Sequence, residues 1–488
     1  MKTVKIEILN HEDSIVICSA ALKEFAHKIG FKRREVHKIV LITEEVLRQI
    51  IKCSFIDGQE SEILIHLEVL QDGIEIKITD HGIPIDEYQL KHCDEKDKNG
   101  FAMVNHILQE YMDEVSIKTK GFEGNEIAFK KYHRSKKQPH LNTSNLGNDG
   151  ESNTKLEDIQ IRLLEEHEAA AISRLAYIAY HYSYPFEIIY IPEKIKEKMV
   201  SHQIISAGAV LDGDHQIISH SALELSHPNA KTAEIGIAFT DPNYRGYGCI
   251  NKIWNLLLDE VAVEKQFFGV FAMAVCSHPY SQKACYKKKM YDTALLISHI
   301  PVLDFEDIAV KKQQRESAMI MFRVLNQSEK VTYYPPKHHK AMILEISNQL
   351  GLEVNLGKHP LFHKESPHNY SNIDWNRDDN FKVANIIIYH IGKDLKDLFE
   401  SEFYKLKTAR YESIYLYLDL ADYHTEKYCS YFEKLGFFFA GIMHKENRMN
   451  LVLQYLNNQE YDFEGLQINS KFGKKLSKYV ESEYCKTK

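Results

Sequence analysis

A polar segment in the first third of the chain limits what the rest of the chain can fold into. Residues 134–157 have the sequence RSKKQPHLNTSNLGNDGESNTKLE, which is rich in Ser, Asn and Gly and has almost nothing to bury. Such a composition is typical of a linker between folded parts. A softer boundary lies at 326–337, where a Pro-Pro pair ends regular structure. The chain is therefore predicted to fold as three units, at 1–133, 158–326 and 330–488.

Composition narrows the class of protein further. The 488 residues are too many for one core, and the net charge of -8 offers no overall attraction for nucleic acid or an acidic membrane. No apolar run approaches the roughly 20 residues of a membrane span, and the first residues lack the apolar stretch of a secretory signal. The eight cysteines are scattered without a CxxC pair, which favours reduced thiols over disulfides or a zinc site. We expect a cytoplasmic protein with no metal, nucleic-acid or membrane partner.

The first unit combines helices with antiparallel strands. Apolar spacing predicts a helix at 39–53, two strands around the turn Gln71-Asp72-Gly73, a helix at 99–112 and a strand at 125–131. The predicted inner face of the first helix comprises Leu41, Val46, Ile50 and Cys53.

This order of elements resembles the GHKL ATP-binding fold, in particular the compact anti-sigma-factor kinase type, over nearly all of 1–133. ITDHGIPID is similar to the family's DxGxP box, which implies that Asp80 accepts the adenine amino group and that Gly82 lets the base come close. GFAMVNHILQEYMDEVSI and GFEGNEIAFKKY resemble the glycine box and the terminal strand. The resemblance implies ATP with Mg²⁺ as a ligand. The nucleotide-binding positions that it implies are Glu45, Gln49, Asp80, Gly82, Lys98 and Gly100.

Two of these positions depart from the family. Gln49 stands where an asparagine would hold Mg²⁺, and the extra methylene moves the amide by more than about 1 Å, which octahedral Mg²⁺ tolerates poorly. Lys98 replaces the first glycine of the glycine box, although Gly100 is kept. Nucleotide binding and a domain kept for protein contact both remain open, and both departures argue against phosphotransfer.

The second unit places a glycine turn between a strand and a helix. The elements are a strand and helix after 158, a hairpin turning at Asp212-Gly213-Asp214, the strand TAEIGIAFTD, the turn DPNYRGYGCI, an amphipathic helix and the buried strand FFGVFAMAV. Their order resembles the GNAT acyltransferase fold over about 158–326.

The turn carries the stronger of two motifs in this resemblance. Arg245-Gly246-Tyr247-Gly248-Cys249-Ile250 is similar to the family's Q/R-x-x-G-x-G/A turn, with Ile250 in place of the last small residue. The resemblance implies that backbone N–H groups here receive the pyrophosphate of acetyl-CoA. Downstream, the segment from Ser281 to Tyr286 resembles a second motif, one residue shorter than usual and followed by Met-Tyr rather than Gly-Phe. It implies that Ser281 contacts the cofactor and that Tyr286 is a general acid.

Glu234 is the candidate general base of the second unit. It lies on the strand before the turn, with Gly236 and Ala238 on its face. A carboxylate beside small residues could take a proton from an amine directly or through water. A solvent-facing strand glutamate is an equally good interpretation, and His278 is a lesser candidate.

The third unit resembles a degenerate second GNAT domain. TARYESIYLYLDLAD is similar to the buried strand, and EKYCSYFEKLGFF to the helix that follows it. Phe432 takes the place of the tyrosine, and no RxxGxG turn precedes it. An unrelated α+β domain is the alternative.

The sequence therefore predicts a multidomain α+β and α/β protein with an N-terminal GHKL-type sandwich, a central GNAT fold and a C-terminal GNAT-like domain. The expected function is acetyl-CoA-dependent N-acetylation of an amine, on a small molecule or a protein, under an N-terminal nucleotide-binding regulatory domain that could also hold a regulatory protein partner. The alternatives are a non-catalytic partner-switching regulator and an anti-sigma-type serine protein kinase.

Overall fold

The computed structural model describes residues 2–85, 101–133, 159–211, 216–301, 314–327, 330–358 and 368–488. Internal contacts divide the chain into two structural units, and from here on the terms first and second unit refer to these. The first unit comprises Met1–Ser221 with Ala238–Ile253, and the second comprises Ala222–Ile237 with Trp254–Lys488. The predicted linker lies outside the described residues, so the three-part division stays a prediction. Lys98 and Gly100, two of the implied nucleotide-binding positions, also lie outside the described residues. Within the described part of the chain, no helix has the length and apolarity needed to cross a bilayer.

The first unit begins with a five-stranded antiparallel sheet in the order β1-β2-β3-β5-β4. Its strands are β1 Thr3–Leu9, β2 Glu62–Leu70, β3 Gly73–Asp80, β4 Glu114–Thr119 and β5 Asn125–Tyr132. Helices α1 Glu12–Lys28, α2 Arg33–Cys53 and α3 Phe101–Tyr111 share one hydrophobic core with the sheet. The predicted hairpin, helices and final strand are confirmed.

The inner face of α2 differs from the predicted one. Val46 and Ile50 are buried, but Leu41 is 49% exposed. Leu41 precedes Val46 by five residues, which turns it about 140° away around a helix of 3.6 residues per turn. The stripe that faces the core comprises Val36, Ile39, Ile42, Val46, Leu47 and Ile50.

The first unit continues into a second set of strands and helices. They are β6 Ile159–Leu163, α4 Ala169–Tyr180, α5 Pro192–Val200, β7 Ile204–Leu211, and the first part of β8 Ile217–Leu225. The end of β9 Thr232–Thr240 and most of helix α6 Cys249–Asn255 complete this unit. Hydrogen bonding orders these strands β9-β8-β7-β6. Beyond α6 the chain passes through a π-helical turn, Leu256–Val261, into α7 Ala262–Glu264. The amphipathic helix predicted after the glycine turn therefore consists of α6, the π-helical turn and α7.

The second unit is built on a mixed sheet with helices between its strands. Its strands after β9 are β10 Gly269–Val275, β11 Tyr291–Ile300, β12 Glu316–Val324, β15 Asn372–Asp378, β16 Val383–His390, β17 Ser413–Asp419, β18 Phe438–Lys445 and β19 Arg448–Leu456. A separate short parallel pair is formed by β13 Val331–Tyr333 and β14 Val354–Leu356. The helices are α8 Tyr280–Lys287, α9 Lys340–Gln349, α10 Leu395–Thr408, α11 Thr425–Lys434 and α12 Lys471–Cys485.

The sheet of the second unit contains the same four-stranded arrangement twice. β9-β10-β12-β11 and β16-β17-β19-β18 each consist of a parallel pair followed by two antiparallel neighbours. In each copy a helix, α8 or α11, follows the second strand. Each helix then leads into the next strand of its copy, α8 into β11 and α11 into β18, so the two helix–strand segments correspond in a structural repeat.

The two repeats meet where β11 pairs with β18, and a glycine permits the approach. Gly441 opposes Ala294, and a Cβ added at Gly441 would lie 2.3 Å from the Ala294 Cα and 2.3 Å from the Thr293 carbonyl oxygen. The φ of 144° at Gly441 also disfavours any other residue.

We expect Gly441→Ala to lower the free energy of unfolding by at least about 2 kcal/mol, because backbone atoms must move to admit the new methyl group. Urea unfolding measures the change. Gly30→Ala is the control, since Gly30 also has a positive φ but no heavy atom within 4 Å of an added Cβ in the described structure. An equal cost for both variants would contradict this account of the repeat interface.

Candidate functional site

The parallel pairing of β9 and β10 stops early. Only Thr232, Ala233 and Glu234 of β9 are paired with β10, opposite Gly269–Phe271, although both strands continue beyond this point. In the second repeat, β16 and β17 stay paired over six positions. Among the described strands, the first repeat thus has an opening between its parallel strands after Glu234 and Phe271, whereas the second repeat stays paired.

Two carboxylates lie at this opening. A Cβ on Gly236 would be 3.4 Å from Glu224 Oε1 and 3.7 Å from Glu234 Oε1, so the glycine leaves both side chains room. Burial raises the pKa of Glu234 well above its usual value, and the nearby Glu224 raises it further. Glu234 therefore has the environment of a group that exchanges a proton nearer neutral pH. Sequence reasoning missed Glu224, which lies on β8, the neighbour of β9 in the sheet.

The second repeat contributes a cation to the surroundings of Glu234. Lys445, at the end of β18, lowers the pKa of Glu234, while Glu234 in turn raises the pKa of Lys445 against the larger effect of burial. The same strand end is fixed by a hydrogen bond between Thr232 Oγ1 and His444 Nδ1 and by one of 2.8 Å from Lys231 N–H to Asn447 Oδ1. The C-terminal repeat thus helps to set the charge of the candidate base.

These charges predict opposite shifts in the pH dependence of activity. A general base works when deprotonated, so with Glu234 in the role predicted for it the acid limb of a kcat/KM profile would follow the pKa of Glu234. We expect Glu224→Gln to move this limb to lower pH, because it removes the charge that raises the pKa. We expect Lys445→Met to move it to higher pH. Limbs that move in the same direction, or stay in place in both variants, would contradict the assignment of Glu234.

The predicted anion-binding turn has the backbone that its glycines imply. Gly246 and Gly248 have φ values of 91° and 73°, and a Cβ on either would point into open space within the described structure. The first turn of α6 bonds Lys252 N–H to Gly248 O at 3.2 Å, so the hydrogen bonds of the helix begin at the second glycine of the turn. Arg245 donates to the Ala179 carbonyl at 3.2 Å, at the end of α4. The Cys249 side chain is buried, which leaves only its backbone for a ligand.

Tyr286 already has a strong hydrogen-bond acceptor. Its hydroxyl donates to Asp292, whose carboxylate also accepts from Ser470 Oγ at 2.6 Å. Burial raises the pKa of Tyr286, and the Asp292 charge adds to this effect. Ser470 is the N-cap of α12, so the contact joins α8 to the C-terminal helix. The acid role of Tyr286 stays a prediction that requires this bond to break. Ser281 Oγ is buried and makes no hydrogen bond within the described structure.

Asp80, at the end of β3, keeps one carboxylate oxygen without a partner. Oδ1 accepts from Gly82 N–H at 2.8 Å and from Asn125 Nδ2 at 3.0 Å, while the buried Oδ2 has no hydrogen bond in the described structure. Burial raises the pKa of Asp80 to about 6, against these bonds and His81, which lower it. An unpartnered buried oxygen suits the adenine amino group that the sequence implied.

The side chains implied for Mg²⁺ and for the approach of the base have other contacts. Gln49 Nε2 donates to Cys53 Sγ at 2.7 Å, and Glu45 accepts from Arg48 at 2.6 Å. A Cβ on Gly82 would lie 2.3 Å from the Ser54 carbonyl oxygen, so packing alone requires a glycine there. The residues fit an adenine better than they fit a metal–phosphate group.

A tyrosine-rich segment, 177–190, lies against the Asp80 loop. Tyr177 donates to the His81 carbonyl at 3.0 Å, and Tyr182 donates to the Gly82 carbonyl at 2.8 Å. The rings of Tyr182 and Tyr190 are 4.9 Å apart, and burial raises the pKa of Tyr182, with the Asp80 charge adding to the effect. This segment begins on α4, the helix whose end binds Arg245. Sequence reasoning missed the contact, although the run YIAYHYSYPFEIIY was its visible signal.

Comparison with known proteins identifies the N-terminal part. Residues 11–131 match the model of the histidine kinase-like ATPase domain, so the predicted GHKL resemblance is confirmed for this part of the chain. No curated protein shows significant sequence similarity to the chain.

Solved structures similar to the chain include several acetyltransferases. The ribosomal-protein-S5-alanine acetyltransferase from Vibrio fischeri is 13% identical and matches 37% of this chain and 100% of its own, with a TM-score of 0.29. The ribosomal-protein-S18-alanine N-acetyltransferase from Escherichia coli is 13% identical, with 35% and 96% covered and a TM-score of 0.29. A GNAT-family acetyltransferase from Bacillus anthracis is 16% identical, with 35% and 97% covered and a TM-score of 0.26. At these scores, an acetyltransferase function has to be argued from the chain's own turn, strands and carboxylates.

Proposed function

We propose that the chain is an acetyl-CoA-dependent N-acetyltransferase whose acceptor is an amine and whose N-terminal domain regulates it through a bound nucleotide. The observation that carries the proposal is the pair of carboxylates, Glu224 and Glu234, beside Gly236 where the β9–β10 ladder ends. Glu234 lies on the strand that leads directly into the glycine turn.

The proposal gives the glycine turn, Glu234 and Tyr286 separate roles in acyl transfer. When bound, acetyl-CoA supplies an acetyl group on a thioester. The backbone of 245–250, with Arg245, would hold its pyrophosphate. Glu234 takes a proton from the attacking amine as a C–N bond replaces the C–S bond, and the sulfur leaves with a proton that Tyr286 would supply. This direct transfer needs no enzyme nucleophile, in keeping with the buried side chain of Cys249.

The test is acceptor-dependent release of thiol from acetyl-CoA by the full chain. A diamine, a peptide with a free N-terminus and an amino sugar cover the main acceptor chemistries. We expect at least one to give thiol and acetylated amine in equal amounts, with the product identified by mass spectrometry. Absence of both acetyl-CoA binding and transfer would refute the proposal. Acetyl-CoA binding without transfer to any amine would favour the non-catalytic regulator.

The regulatory role is supported by the contacts of α4. Tyr177 of this helix and the nearby Tyr182 bind the carbonyls of the Asp80 loop, and the Ala179 carbonyl holds Arg245 of the glycine turn. Asp80 is 1% exposed, so a nucleotide that reaches Oδ2 has to displace the groups around it. Burial raises the pKa of the nearby Tyr177 and Tyr182, and the Asp80 charge adds to this effect. The contacts of Glu45 and Gln49 disfavour the kinase alternative.

We expect nucleotide and acetyl-CoA to alter each other's affinity by the same factor, of about 5–150-fold for a typical coupled pair. Asp80→Asn should abolish binding of ATP and leave acetyl-CoA binding intact. Tyr182→Phe should keep both ligands and reduce the coupling, because it removes the bond to Gly82. Calorimetric titration of each ligand with and without the other measures all three. Unchanged ATP affinity in Asp80→Asn would remove Asp80 from the site.

A further inference from the structure

Four side chains of the second unit bring potential metal-ligand atoms close together. His338 and His339 come just before α9, while Cys429 and Glu433 lie one turn apart on the same face of α11. One ligand atom from each, two imidazole nitrogens, a thiol sulfur and a carboxylate oxygen, lies within 4.8 Å of the others. Nothing in the proposed acyl transfer uses this cluster.

The hydrogen bonds of His339 direct a ring nitrogen towards the centre of the cluster. Tyr479 of α12 donates its hydroxyl proton to the His338 carbonyl at 3.2 Å and lies 2.8 Å from His339 Nδ1. With its one proton donated, the hydroxyl can accept from Nδ1–H, and Nε2 is the ring nitrogen that faces the other three side chains. Nε2 lies 2.8 Å from Glu433 Oε1, and His338 Nε2 lies 2.7 Å from the same oxygen. A cation among these atoms would satisfy them together.

We propose that His338, His339, Cys429 and Glu433 form a zinc site. Two nitrogens, one sulfur and one oxygen are a donor set that Zn²⁺ takes in four-coordinate sites. Ligand atoms around tetrahedral zinc lie about 3.3–3.7 Å apart, so the short contacts to Glu433 need to open only slightly. Metal-binding histidines commonly donate their other ring N–H to a nearby oxygen, which fixes the orientation of the ring. The Tyr479 hydroxyl, beside His339 Nδ1, would have this role.

The site has the character of a structural zinc centre with an entry from solvent. The His339 side chain is 0% exposed, whereas that of His338 is 44% exposed. All four positions come from the protein, which leaves no open coordination position for a substrate. The metal would join the start of α9 to α11, with α12 attached through Tyr479.

The test is the zinc content of the full-length protein, prepared without a histidine tag from zinc-supplemented medium. We expect about one zinc per chain, by mass spectrometry of the metal, after gel filtration. Cys429→Ser and Glu433→Gln should lose the metal, whereas Cys18→Ser, which alters another buried helical cysteine, should retain it. Co²⁺ added to the metal-free protein should give the visible bands of a four-coordinate site and a thiolate band that is absent in Cys429→Ser.

Tyr479→Phe keeps all four ligands and gives a second measure in case the ligand variants fail to fold. It should weaken zinc affinity by about 10–100-fold. Zinc-free wild-type protein without cobalt bands would overturn the site, and so would equal zinc affinity in wild type, Cys429→Ser and Tyr479→Phe. That result would leave a cluster in which Glu433 accepts hydrogen bonds from both imidazoles. Neither outcome depends on acetyl transfer.

Discussion

Glu234→Gln is expected to lower kcat by about 10²–10⁴-fold, the usual contribution of a general base. The amide keeps the shape of the side chain but cannot accept the proton of the attacking amine. Acetyl-CoA affinity should stay unchanged, because Glu234 precedes the glycine turn and is not among the groups proposed to hold the pyrophosphate. Steady-state kinetics with a saturating acceptor, combined with calorimetric titration of acetyl-CoA, separates the two effects.

The control for this variant is a strand glutamate outside the opening. Glu75 lies on β3 and is 4.0 Å from Lys130 Nζ, so Glu75→Gln makes the same chemical change in the N-terminal sheet. It should leave kcat unchanged. A Glu234→Gln enzyme with wild-type kcat and an unshifted pH profile would show that Glu234 has no catalytic role.

Patterns local in sequence predicted most of the secondary structure. The turn at 71–73, the alternation along β9 and the glycine turn before α6 depend on residues within a few positions of one another. The likeness of TARYESIYLYLDLAD and EKYCSYFEKLGFF to the strand and helix of the central part also anticipated the repeat, because each pattern is local in sequence. The wrong assignment of Leu41 to the buried face of α2 arose because its spacing of five residues from Val46 was not compared with the 3.6-residue period of a helix.

Contacts between distant residues could not be predicted in this way. Glu224 became visible only in the folded chain, where β8 neighbours β9 and the side chain lies close to Gly236. The zinc ligands we propose combine a His-His pair with a cysteine about 90 residues later, a spacing that matches no short metal motif, so the expectation of no metal site rested on CxxC spacing alone. The docking of the tyrosine segment on the Asp80 loop likewise joins residues about 100 positions apart.

The two repeats differ in features that bear on which of them is active. β16 and β17 remain paired where β9 and β10 part. Phe432, in the position corresponding to Tyr286, is 0% exposed and packs against Phe399 with ring centroids 4.6 Å apart. The second repeat has thus filled with apolar side chains the region that stays polar in the first. It still places Lys445 near Glu234, where the cation lowers the pKa of the carboxyl group.

Gly248→Val is expected to weaken acetyl-CoA binding by about 100-fold or more. A Cβ at Gly248 would enter space that is open within the described structure, and the proposal assigns the space beside this turn to the pyrophosphate. Valine also resists the φ of 73° found there, so the N–H groups of the turn would lose their common direction. Two hydrogen bonds to a charged group account for a loss of this size, at about 1.5–3 kcal/mol each. Calorimetric titration with acetyl-CoA measures the change.

Valine at a positive φ strains the backbone and would destabilise Gly248→Val whether or not the turn binds acetyl-CoA. The control therefore places valine at a glycine with a similar φ elsewhere in the chain. Gly351, just after α9, has a φ of 70° and no heavy atom within 4 Å of an added Cβ in the described structure. Gly351→Val should therefore lower Tm about as much as Gly248→Val and leave acetyl-CoA affinity intact. If Gly248→Val does not fold, Gly248→Ala tests the same position with a smaller side chain. Wild-type affinity in a folded Gly248 variant would show that the turn is an ordinary strand-to-helix connection and would remove the main support for a pyrophosphate site at 245–250.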